Sequence, residues 1–210
     1  MSVKHIGDLK KTECYGCSAC VYSCPFGAIT MEQDREGFRY PVVDEEQCEY
    51  GAIVMDNNIP VIDYEKCTGC GKCRKICPSI CPKDMSNAPE PESYAVWAED
   101  NVRRDSSSGG FFTVLARSVF AQGGVVCGVV MDEDFKVFHT VATNEKEFVP
   151  MRGSKYVQSD LRDIFPKVKE FLGKGKKVLF TGTPCQVAGL KAYLGGEEEN
   201  LLTVDLMCHG

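Results

Sequence analysis

Cysteine recurs at positions 14, 17, 20 and 24 and again at 67, 70, 73 and 77, and each run is closed by a proline, Pro25 or Pro78. No other pattern restricts the fold of this chain as much, because eight thiols at fixed offsets have to be brought onto something. Three cysteines spaced three apart lie on one tight loop and converge on one centre. The fourth follows a longer step, precedes a proline and begins a new segment. Zinc favours two separated C-x2-C pairs over two such quartets. A disulfide framework belongs to a secreted chain, and residues 1–12 are polar and unlike a secretory leader. Chance core cysteines would not reproduce the interval twice.

C-x2-C-x2-C-x3-C-P is the spacing of bacterial [4Fe–4S] ferredoxins, in which the fourth cysteine of each run ligates the other cluster. By that rule one cluster takes Cys14, Cys17, Cys20 and Cys77, and a second takes Cys67, Cys70, Cys73 and Cys24. Gly16, Ser18, Ala19, Gly69 and Gly71 are small enough to let backbone N–H groups approach the sulfurs and tune their potential.

Composition narrows the setting. The 210 residues are 43% hydrophobic and 26% charged, a soluble and globular balance. No apolar run reaches 18 residues, so no membrane span is expected. The net charge of −6 argues against nucleic acid as a partner. Up to Glu92 there are 15 acidic and 10 basic residues, so most of the excess lies on the cysteine-rich half, where it could steer a basic redox protein or simply be solvated. Thirteen cysteines without a leader point to a reducing, cytoplasmic setting.

Between the cysteine runs lies a repeat. C-P-F-G-A-I-T-M (24–31) is echoed by C-E-Y-G-A-I-V-M (48–55), and P-V-V-D-E-E-Q-C (41–48) by P-V-I-D-Y-E-K-C (60–67). Each half predicts a β-hairpin, turning near Gly37 or Asn57–Asn58. Two hairpins stand where such modules carry one. Cys48 sits where a third run would begin and end, and reads as an orphan thiol left by a collapsed loop. Cys81-Pro82 repeats Cys77-Pro78, but spacing favours Cys77 as the fourth ligand. Residues 82–92, with three prolines and three acids, form a linker.

After the linker, strands and helices alternate. The pattern predicts strands over Tyr94–Ala98, Val125–Met131, Lys136–Thr143, Lys177–Thr181 and Leu201–Leu206. It predicts helices over Phe111–Phe120, Asp163–Leu172 and Pro184–Leu194, the last opened by proline. Strands joined by helices imply a sheet with parallel pairing.

Two junctions offer hydroxyls, glycine and free N–H groups at a helix start, the makings of a phosphate site: Ser106-Ser107-Ser108-Gly109-Gly110 and Thr181-Gly182-Thr183-Pro184-Cys185-Gln186. Neither matches a known phosphate-loop fingerprint, and an ordinary helix cap is the commoner explanation of each. Cys185, in the first turn of its helix, would have its pKa lowered by the dipole, and could touch a flavin, ligate a cluster or be buried. Cys127 reads as core. His5 and His139 have no companions that suggest a site. Lys155-Tyr156 could pair a cation and an aromatic ring with a planar anion, or form a surface loop.

D-S-S-S-G-G-F-F (105–112), G-S-K-Y-V-Q-S-D-L (153–161), F-T-G-T-P-C-Q-V-A-G-L (180–190) and D-L-M-C-H-G (205–210) occur in this order. Over residues 93–210 the chain resembles the coenzyme F-420 hydrogenase/dehydrogenase beta-subunit family. The cysteine runs make residues 1–81 an α+β ferredoxin-like module, followed by the linker over 82–92, and the resemblance implies an α/β flavin-binding domain over 93–210. It implies FAD beside the two [4Fe–4S] clusters, with electrons passing between clusters and flavin. Hydride exchange would be with a deazaflavin or another organic molecule, alongside a redox partner protein or further subunit. It carries Ser107, Ser108, Gly109, Gly110, Lys155, Gly182, Thr183 and Pro184 into the flavin site, with Cys185 and Cys208 as motif cysteines. Family members continue past C-H-G, so the chain reads as part of a longer domain. The rival reading is a non-enzymatic electron carrier or docking subunit.

Overall fold

Alternating apolar residues on either side of Gly37 close the first hairpin. Strand β1 (Ile29–Gln33) pairs antiparallel with β2 (Arg39–Val43), Ile29 opposite Val43 and Met31 opposite Pro41. Gly37 has φ +91°, and its N–H donates to the Asp34 carbonyl. The Asp34 carboxylate accepts from the N–H groups of Glu36 and Phe38, which fixes the turn. A computed structural model of the chain describes residues 6, 9–44, 53–56, 59–62, 72–82 and 90–208, with 53–56 and 59–62 described by their backbone. Among these, the second expected hairpin is present as β3 (Ile53–Asp56) against β4 (Ile59–Ile62). Its turn at Asn57–Asn58, and Cys48, Cys67 and Cys70, lie outside the described residues.

The chain divides into two compact units. One comprises Met1–Met85 together with Ala188–Gly196, the other Ser86–Val187 with Glu197–Gly210. In the first, two short helices, α1 (Ala19–Ser23) and α2 (Lys72–Lys75), pack together. Its core gathers Ile6, Cys20, Ile29 and Cys77, flanked by Leu9, Val21, Cys24, Val43, Cys73 and Ile80.

In the second unit the polar run Asp100–Arg104 forms a short helix, α3, that the sequence pattern did not suggest. The expected strand over Tyr94–Ala98 does not form. Tyr94 and Trp97 are 75% and 69% exposed, and the Ala98 N–H is taken by the Gly109 carbonyl. Helix α4 (Phe111–Phe120) precedes β5 (Val125–Met131), which pairs antiparallel with β6 (Val137–Ala142). A single turn, α5 (Glu145–Phe148), runs into a 3-10 turn over Val149–Met151. Then come α6 (Ile164–Gly173), β7 (Val178–Gly182), α7 (Pro184–Leu194) and β8 (Leu201–Asp205).

The sheet order is β6-β5-β7-β8, with β5, β7 and β8 parallel. Register sorts the side chains onto two faces. Val126 and Leu179, paired across β5 and β7, pack with Ala116 and Val119 of α4 and with Phe148 and Met151. One residue on, Cys127 and Phe180 face the other side, where Phe165 of α6 meets Phe180 edge-on. Both faces of the central strands are therefore covered, which explains their continuous apolar sequence.

Candidate functional site

The first cysteine run folds as its spacing dictates. Gly16 and Ser18 both take left-handed backbone angles, φ +64° and +56°, on either side of Cys17. Such curled segments turn successive N–H groups into a concavity that suits anionic groups and iron–sulfur clusters. Cys14, Cys17, Cys20 and Cys77 all line one hollow, with Tyr15, Gly16, Ser18 and Pro78. Cys77, the last cysteine of the second run, thus lies beside the first three of the first run. Cys81 lies one turn past Cys77, with its N–H on the Cys77 carbonyl, and is not among the residues lining the hollow.

Burial pushes the Cys20 thiol well above its ordinary range, and the neighbouring Cys17, Cys14, Cys77 and Cys73 add to the effect. Thiols held together at this cost need a cation to neutralise them once ionised. Among the described residues no three side chains are gathered as a single metal ion requires. A zinc ion would draw its sulfurs to within about 2.3 Å of one point. Four cysteines lining one hollow supply the donor set that a [4Fe–4S] cluster takes. Cys24 and Cys73, assigned by spacing to the second cluster, pack against the same core as Cys20 and Cys77.

In the other unit, two of the quoted motifs meet. A Cβ on Gly153 would lie 3.6 Å from Ser107 Oγ, and the Arg152 guanidinium lies 3.7 Å from the Asp105 carboxylate. Arg152 also contacts Glu145 at 3.4 Å and sits over the Phe148 ring. Its Nε is buried with no hydrogen-bond partner among the described residues. Lys155 is engaged close to its own backbone. Its Nζ donates to the carbonyls of Pro150, Met151 and Arg152 at 3.1, 3.0 and 2.9 Å, which uses all three of its N–H bonds. Partial burial lowers its pKa. Tyr156 beside it is 95% exposed. Gly109 and Gly110 are required by close packing: a Cβ on Gly109 would stand 2.9 Å from the Val96 carbonyl. Gly110 caps α4 at φ +78°, and a Cβ there would meet Ala98, Ser106 and Val102 within 3.3 Å. Ser108 stays in the loop between α3 and α4.

The β7–α7 turn, Gly182-Thr183-Pro184-Cys185, is held by a chain of side-chain hydrogen bonds that the sequence did not suggest. Thr183 N–H donates to Gln186 Oε1 at 3.0 Å, and Gln186 Nε2 donates to Ser159 Oγ at 3.0 Å. Ser159 Oγ lies 3.1 Å from His139 Nδ1, and His139 Nε2 lies 3.0 Å from the Thr181 carbonyl. A carbonyl only accepts, so Nε2 carries the proton and Nδ1 accepts from the Ser159 hydroxyl. The chain of bonds leaves at Thr183, returns at Thr181 and so brackets Gly182. Burial lowers the His139 pKa to about 4, and the ring stacks on Phe180 at 5.4 Å.

Cys185 departs from expectation. Burial pushes its thiol up, the Thr183 hydroxyl at 3.1 Å opposes the shift, and Cys208 raises it again. Desolvation outweighs the helix dipole here. Cys127 is fully buried, with its pKa pushed up to about 12, a core residue as its strand position suggested.

Residues 13–84 match the family model of a 4Fe-4S dicluster domain. Residues 93–165 and 175–210 match the N-terminal and C-terminal models of the coenzyme F420 hydrogenase/dehydrogenase beta subunit. The chain is 24% identical over 201 residues to one of the subunits of the F(420)H(2) dehydrogenase of Methanosarcina mazei, covering 93% of this chain and 53% of that one. It is 26% identical over 145 residues to the coenzyme F420-dependent sulfite reductase of Methanocaldococcus jannaschii, covering 69% of this chain and 23% of that protein. Over 78 residues, 37% of this chain, it is 32% identical to Ferredoxin-3 of a Nostoc species and covers 75% of it. The chain thus spans about half the length of its dehydrogenase relative.

Proposed function

We propose, for a chain that belongs to the coenzyme F420 hydrogenase/dehydrogenase beta-subunit family and opens with a 4Fe-4S dicluster module, that it is the electron-transferring part of a cytoplasmic iron–sulfur flavoprotein oxidoreductase. When bound, two [4Fe–4S] clusters would supply single-electron steps and FAD would convert them to hydride exchange with a deazaflavin or another organic molecule.

The observation that carries the reading is the meeting of Cys14, Cys17, Cys20 and Cys77 around one hollow. These four would hold one cluster, and Cys24, Cys67, Cys70 and Cys73 the other. Burial of Cys17, Cys20 and Cys77 would keep water from the first. For the flavin, the meeting of the Ser107–Gly110 loop with Arg152-Gly153 supports a contact there, as does the bracketed Gly182-Thr183-Pro184-Cys185 turn. Arg152, with its unsatisfied Nε, is a better cation for a phosphate than Lys155, whose ammonium is spent on carbonyls. Among the described residues no helix is long and apolar enough to cross a membrane. A partner protein or subunit would deliver or accept the electrons.

Anaerobic purification tests the reading. The expected material is brown, carries about eight iron atoms per chain and releases FAD on acid treatment. Iron and sulfide without flavin would favour the simple electron carrier to which the Ferredoxin-3 match points. Colourless protein holding zinc would overturn both.

A further inference from the structure

The later turns of α7, within Ala188–Gly196, belong to the compact unit built on the cysteine runs. Gly189 is buried there. A Cβ placed on it would lie 3.3 Å from Cys17 Sγ, 3.4 Å from Cys17 Cβ and 3.3 Å from Ala19 Cβ. One turn on, Tyr193 meets Tyr22 of α1 edge-on, with ring centroids 5.9 Å apart. Residues 189 and 193 share a helix face, so α7 docks on the Cys17–Tyr22 segment through two successive contacts. A mid-helix glycine costs about 1 kcal/mol relative to alanine. Helix propensity therefore does not explain Gly189, whereas the close approach to sulfur does. Gly173 at the end of α6 is the contrast, with nothing within 4 Å of its Cβ position.

We infer that Gly189 is a positioning residue for the Cys14–Cys17–Cys20–Cys77 cluster, its missing side chain letting α7 close over the Cys17 sulfur and keep water from it. The inference rests on the reading of that hollow as a cluster site. A four-thiolate cluster gains negative charge on reduction, and water stabilises that charge. Solvent exposure and contacts to the sulfurs are the protein's levers on such potentials. Cover by α7 thus holds the potential down and slows iron loss.

The test uses the full chain, purified without oxygen, as wild type, Gly189→Ala and Gly173→Ala. The paramagnetic signal that disappears in Cys17→Ala identifies the cluster concerned. A redox titration of that signal and the rate of iron release to a chelator are then compared. Gly189→Ala is expected to move the midpoint upward and to release this iron roughly tenfold faster, with the other cluster and Gly173→Ala unchanged. If both readouts in Gly189→Ala match wild type, the inference is overturned while the cluster reading stands. If wild type has no such signal, both fall. Should Gly189→Ala not fold by circular dichroism, Tyr193→Ala decides: faster iron release supports the inference and an unchanged rate overturns it.

Discussion

The Nε2 of His139 lies 3.0 Å from the carbonyl oxygen of Thr181, 42 residues away in sequence, and this contact fixes the tautomer of a buried ring. Everything downstream in the hydrogen-bond chain follows from that choice. Ser159 must donate to Nδ1, and its oxygen is then available to accept from Gln186.

His139 therefore gives the fold a pH dependence. Its pKa falls from an ordinary 6.5 to about 4 in the folded chain. A depressed histidine pKa means that the unfolded state binds the proton first. The contribution is complete above pH 6.5 and is lost as pH falls toward 4, at most about 3 kcal/mol. Urea unfolding of wild type and His139→Gln at pH 7.5 and pH 5 checks this. Wild type should lose more between the two, and equal losses would refute the assignment.

Lys155 and Arg152 should separate cleanly. Lys155→Met removes three carbonyl contacts and should cost about 1–2 kcal/mol, discounted for the solvent that already reaches the amine. Its flavin content should persist. Arg152→Met should lower the flavin content per chain. Equal loss of flavin in the two variants would return Lys155 to the cofactor site.

Cys77 and Cys81 differ in burial and in whether they line the hollow. Cys77→Ala should lose iron equivalent to about one of two clusters, as should Cys17→Ala. Cys81→Ala should keep both, and iron loss there would reverse the assignment.

Gly110→Ala should destabilise by roughly 1–3 kcal/mol, because a side chain is strained at φ +78° and its Cβ meets three neighbours. Thermal unfolding of the variant measures this. A larger or charged residue at 110 would report on this packing before it reported on any phosphate.

Local signals were legible in the sequence. Helices α4 and α7 and strand β5 begin and end where glycine, proline and apolar runs place them. The cysteine spacing encodes its loop because ligand and turn lie within a few residues. Tyr94–Ala98 misled because an apolar run makes a strand only when another strand lies beside it, and here Tyr94, Val96 and Trp97 stay largely in solvent while only Ala98 is buried. The His139–Ser159–Gln186 circuit could not be read, since its members are 20 and 27 residues apart and meet only after the sheet forms. Lys155 beside Tyr156 suggested a planar anion by charge and ring alone; its carbonyl partners depend on the 3-10 turn before it.

Residues 188–196 complete a unit whose other members are residues 1–85. A ribosome making this chain N-terminus first would release the cysteine runs long before the helix that closes over Cys17. Cofactor insertion during synthesis would meet an open basket, and the lid would arrive afterwards. A fragment cut at residue 85 would keep Cys14, Cys17, Cys20 and Cys77 but lack that lid. Long-range closure of this kind slows folding, and here it also leaves a window for loading.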